Sequence, residues 1–172
     1  MNSSIFWMQI VASVLVFSTV ATWYAWPSLT KLSLHAALTP LLFVHVPRYV
    51  GMTLLVTQAV DPKLPPEFLS NAAYGDLIEA VLAFVSIFAL RNDWRGAVAL
   101  VWVTNTWGFL DLLSGLRGLL RVNVPSYDMR VFWHIYTFYA PLVVVSHVMI
   151  FLVLIKAKSW GNRTLQAADP AS

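Results

Sequence analysis

The sequence predicts an all-α integral membrane protein built as a bundle of five transmembrane helices, and three observations carry that prediction. Hydrophobic residues fill 59% of the 172 positions and charged residues only 11%, against roughly 25% charged in a typical soluble domain. The apolar residues fall into five runs, near 5-26, 37-60, 71-90, 96-116 and 131-155, each close to the ~20 residues that cross about 30 Å of hydrocarbon. Between them lie short links, PSLTK, DPKLPPEF, RNDWR and RVNVPSYDMR, in which Pro, Asp and Asn interrupt the helices. One domain over 1-158 accommodates all five runs, and a polar tail follows at 159-172.

The first run, MNSSIFWMQIVASVLVFSTVATWYAW, begins polar and uncharged. A cleaved signal peptide would open with basic residues, so a retained span with its N-terminus outside is expected. The second run holds HVPRYVG. There Pro47 removes one helical hydrogen bond and frees the carbonyl of Phe43, which predicts a kink, and Gly51 gives room for close approach. Pro65 and Pro66 are expected to forbid helical continuation into the third run. That run carries Asp76 and Glu79, whose spacing of three puts them on one helix face. The fourth carries Asn105 and Asp111, and the fifth His134, Tyr139 and His147.

Lys31, Arg91, Arg95, Lys156, Lys158 and Arg163 collect on one side, and Lys63, Arg117, Arg121 and Arg130 on the other. Basic residues favour the cytoplasmic side, so the sequence predicts a plasma (inner) membrane protein with its C-terminus in the cytoplasm. Trp23, Tyr24, Trp26, Trp94, Trp133 and Trp160 stand near segment ends, as interfacial belts require. The formal charge of +3 also belongs to helix ends; it reads as anchoring, with membrane lipids as partners and no nucleic acid.

Several chemistries are excluded by residue type. The chain has no cysteine, so thiolate zinc sites, iron–sulfur clusters and covalently attached c-type haem are ruled out. Every lysine stands at a segment end, which leaves none to form a retinal Schiff base. No nucleophile elbow, H-E-x-x-H or glycine-rich phosphate loop occurs.

What remains is a set of polar residues in apolar runs. An unpaired arginine at the centre of a bilayer costs at least ~2.5–3.5 kcal/mol, so Arg48 must have a partner; matching depth points to Glu79 first and to Asp111 or Asp76 second. With Trp102, Trp107, Phe109, Trp133, Tyr136 and Phe138 nearby, the expected site is a polar, aromatic-lined cavity in the outer half of the bundle. It would bind a small amphipathic or isoprenoid-like ligand. Glu79, Asp76 and Asp111 are the candidate catalytic acids or bases for isomerase-like proton transfer, and Arg48, Asn105, Trp107, His134 and Tyr139 the candidate ligand-binding residues. No metal is assigned, because Asp76, Glu79, Asp111 and His134 lack a ligand-spacing signature, and no cofactor is assigned either. In an alternative reading His45 and His147, at matching depth on two helices, ligate haem b in an electron-transfer or quinone-associated subunit. In others the chain is a structural subunit of a larger membrane complex, a homo-oligomer, or a small proton-coupled transporter.

Five spans with intramembrane acids and an Asn-x-Trp sequence, Asn105 to Trp107, on a late helix resemble the class of membrane sterol isomerases and the sigma-2 receptor. The polar cavity of that class lies within the bilayer and receives sterol-like amines. The resemblance covers isolated residues and no extended motif, so it implies what such a cavity does and carries no residue over.

Overall fold

The computed structural model describes residues 2–157; the expected polar tail, with Lys158, Trp160 and Arg163, lies outside the described residues. Five helices are long and apolar enough to cross a membrane: α1 Ser3–Leu29, α2 Leu34–Leu55, α3 Pro66–Arg91, α4 Ala97–Val122 and α5 Phe132–Ile155. The described residues include no strand. Three boundaries differ from those expected. Helix α2 stops at Leu55, α4 runs on to Val122, and α3 starts at Pro66, so the prolines do not keep that stretch out of the helix. Pro66 stands at the first helical position, where the missing N–H would have no partner anyway and the fixed φ suits a helix. Asn123 ends α4 with φ 55°, a left-handed conformation that asparagine tolerates. The Ser33 hydroxyl caps α2 by accepting the Ala36 N–H at 3.3 Å.

Proline also decides the irregular turns. The five-residue π turns Ala21–Ala25 in α1 and Ile135–Tyr139 in α5 end two residues before Pro27 and Pro141, whose bulk and missing N–H displace the carbonyl four residues earlier. In α2 the effect is larger than the expected kink. The α-helical Leu34–Phe43 gives way to a 3-10 helix over Val46–Leu55, well beyond the usual three or four residues of such a helix. In 3-10 pairing Pro47 would have bonded the carbonyl of Val44. Instead the Tyr139 hydroxyl donates to that oxygen at 2.7 Å. Tyr139→Phe leaves the carbonyl unpaired in a partly buried place, and a loss of about 1–3 kcal/mol is expected, to be read from thermal unfolding in detergent.

Helix α3 packs between α2 and α4, and α5 packs against α1, α2 and α4. Helix α1 lies at the edge: 11% of its apolar window is buried, against 50% for α3. Two apolar layers fill the bundle. One is built from Leu38, Leu42, Leu90, Val101, Ile150 and neighbours, the other from Phe6, Leu54, Leu69, Leu119, Phe132 and neighbours. Along α2, α3 and α4 the polar residues 45–48, 76–79 and 104–111 fall between the two. Beyond the second layer, Asp61 ties two connections together. Its carboxylate accepts the backbone N–H of Lys63 at 2.9 Å and of Asp128 at 3.1 Å, and these bonds hold its pKa below the usual carboxylate value.

Candidate functional site

Nine polar or charged residues are buried among those described: His45, Arg48, Glu79, Ser86, Thr104, Asn105, Thr137, Ser146 and His147. Burying such groups is costly unless they find partners. Arg48 does. Its Nε donates to Asp76 Oδ1 at 2.7 Å, its Nη2 to Asp111 Oδ2, and its Nη1 reaches the Gly108 carbonyl at 3.4 Å. The partner expected first, Glu79, forms no ion pair with Arg48 among the described residues; the second choices hold the guanidinium together.

Glu79 lies deeper, at 0% exposure. Its Oε1 is 3.6 Å from His45 Nδ1, too far for a hydrogen bond. The His45 and His147 rings touch, with centroids 4.2 Å apart. Among the described residues His45 Nδ1, His147 Nε2 and both Glu79 oxygens are buried without a hydrogen-bond partner. One ligand atom from each of the three residues can be chosen so that all lie within 4.8 Å of one another. This spacing suits a single small ion; a porphyrin ligated from both faces would require the rings to separate.

Glycine makes the layer possible. Gly51 lies against Asp76, Gly75 against Asp111 and Gly108 against Glu79, each so closely that a Cβ on the glycine would overlap the carboxyl group. Each of the three acids therefore occupies a notch that a side chain would fill. The sequence reading used only Gly51. Gly75 and Gly108 were the missed signal: small residues at the depth of each acid.

The other expected site residues divide. Asn105 is buried, but it grips His147 with both ends of its amide, accepting at Oδ1 from Nδ1 at 2.8 Å and donating from Nδ2 to the backbone carbonyl at 3.2 Å. It positions a histidine rather than facing a ligand. Tyr139 is spent on Val44. Trp107 is 43% exposed on the outside of the bundle; the aromatic wall is instead Phe109, whose ring lies 5.9 Å from His147 and 5.7 Å from Phe151. His134 is exposed in a surface depression with Ser126, Tyr127, Arg130 and Trp133, and among the described residues no hydrogen bond joins it to the acids.

A family model described as a domain of unknown function (DUF8737) matches residues 5–155. That range contains all five helices apart from the first two residues of α1. No curated protein and no solved structure matches the chain.

Proposed function

Since the chain belongs to the family described as a domain of unknown function (DUF8737), we propose a role from its own geometry: it inserts in a membrane, N-terminus outside, and binds a small amphipathic or isoprenoid-like molecule. The head of that molecule meets the polar layer and its tail lies along the lipid-facing helices. One observation carries this reading. Arg48 is 5% exposed at its side chain, while the two carboxylates that share it, Asp76 and Asp111, keep 26% and 20% of theirs.

One guanidinium between two ionised carboxylates leaves a formal surplus of one negative charge at an accessible edge. In a low-dielectric setting such an edge favours a head group that carries positive charge or donates hydrogen bonds. Asp76 is the group placed to exchange a proton with it, and Arg48 and Asp111 hold Asp76 in position. Glu79, sealed behind them, does not reach the ligand without movement of the bundle.

Asp76→Asn removes the surplus charge and keeps the shape. Binding of a long-chain amine to the protein in nanodiscs is expected to weaken roughly tenfold or more, about 1.4 kcal/mol, while the matched neutral alcohol is affected less. Equal, unchanged affinities of both ligands for the two proteins would remove the support for this reading.

A further inference from the structure

We propose that His45, Glu79 and His147 form a binding site for one divalent transition-metal ion between α2, α3 and α5. The inference goes beyond the ligand-binding edge described above and holds whether or not that ligand binds.

The direction of the hydrogen bonds is the first argument. The Ser146 hydroxyl touches both the Leu41 carbonyl, at 3.0 Å, and His45 Nε2, at 3.1 Å. A carbonyl only accepts, so the hydroxyl proton goes to Leu41, and Ser146 accepts from Nε2–H of His45. His45 Nδ1 therefore carries a lone pair. On the other side the Asn105 amide nitrogen donates to the His147 carbonyl, which turns Oδ1 towards the ring. It accepts from Nδ1–H and leaves a lone pair on His147 Nε2. Two imidazole lone pairs and the Glu79 carboxylate thus converge on one another, all buried and without a hydrogen-bond partner among the described residues. An array of acceptors with no donor is unfavourable unless a proton or a metal cation sits among them. Metal-ligating histidines characteristically donate their other N–H to a fixed acceptor, and both histidines do so.

Formal charge gives a second, independent argument. The layer holds one guanidinium, on Arg48, and three carboxylates, on Asp76, Glu79 and Asp111. Ionised together, these are short of two positive charges: one at Glu79, which a divalent cation more than offsets, and one at the Asp76–Asp111 edge described above. The donor set selects the class. Two imidazoles and one carboxylate, with no thiolate in the chain, suit zinc and iron(II) better than magnesium or calcium, which prefer oxygen ligands. Three protein ligands also leave a coordination position free. Donor atoms about 2.1 Å from a tetrahedral ion lie ~3.4 Å apart. The 3.6 Å between His45 and Glu79 is already near that, and small side-chain rotations bring in the third atom.

The test uses the full chain, carrying a tag without histidines, stripped of metal in detergent and titrated with Co(II). Binding is expected to saturate at one ion per chain with a visible d–d absorption of a site with few ligands, and zinc should displace it. Glu79→Gln, close to isosteric, and His147→Ala should abolish the band, whereas His35→Ala, on the far side beside Asp93, should retain it. If the ligand variants fail to fold, Ser146→Ala and Asn105→Ala leave the three ligands in place and should weaken Co(II) binding by roughly 10–100-fold. No band in the wild-type chain, or a band unaltered by Glu79→Gln, Ser146→Ala and Asn105→Ala, overturns the proposal.

Discussion

Arg48→Met is expected to destabilise the protein by about 3–5 kcal/mol, the usual cost of removing one partner from a buried ion pair. Two carboxylates lose their shared cation at once. Asp76 and Asp111 would then face each other across a space lined by the Gly108 carbonyl, itself an acceptor. Making both acids neutral in the same background, Arg48→Met with Asp76→Asn and Asp111→Asn, should recover much of the loss, since a neutral polar set replaces unpaired charges. Arg48→Met with Glu79→Gln should not, because Glu79 is not held by Arg48. Unfolding in mixed micelles, followed by tryptophan fluorescence, gives the comparison. Recovery by the Glu79 combination equal to that of the triple variant would show that the pairing is wrong.

Gly51→Ala is the second large effect. An added methyl there overlaps Cβ, Cγ and Oδ2 of Asp76. This side chain is short and pinned by Arg48 at 2.7 Å, so the clash is relieved only by moving α2 from α3 or by breaking the ion pair. Overpacking of this kind costs about 1–3 kcal/mol. Gly108→Ala, by contrast, meets first the far end of Glu79, at Cδ and the two oxygens. A longer side chain swings aside more readily, and alanine favours the helix by up to about 1 kcal/mol over glycine. The expected order is therefore a clear loss for Gly51→Ala and little change for Gly108→Ala, although the latter turns the carboxyl group away from the histidines. Equal losses in the same unfolding measurement would mean that the notch at Gly51 has no special rigidity.

Fold class was legible because it rests on local quantities. Apolar length decides how many helices can cross, and the five runs correspond to α1 to α5. The errors lie at their ends and in proline. Pro66 was taken for a breaker and is a starter; Pro47 was taken for a kink and instead stands second in ten residues of 3-10 helix. Both follow from position within the helix, which propensity alone does not specify.

The site was half legible. Residue type and depth singled out Arg48, Asp76, Glu79 and Asp111, and the matching depth of His45 and His147 was visible in the numbering; the structure brings each of these into one layer. Which of them touch was not visible. A 3-10 helix rises about 2.0 Å per residue with three residues per turn, against 1.5 Å and 3.6 for an α-helix. The change beginning at Val46 thus resets both the height and the direction of Arg48, and the guanidinium meets Asp76 and Asp111 instead of Glu79. His134 and Trp107 are exposed instead of facing the layer, since depth without rotation does not separate an inward face from an outward one.

The sequence by itself determined five apolar helices, an arginine that needed a counter-charge, and an excess of acids over bases in the middle of the bundle, because hydrophobic length and charge are properties of the residues. Only the tertiary structure decided the rest. Glycine notches seat the acids, Ser146 and Asn105 each bond one imidazole nitrogen, and Glu79 is left beside the two ring nitrogens that have no hydrogen-bond partner among the described residues. Those features depend on the rotation and spacing of neighbouring helices, which residues far apart in the chain set jointly.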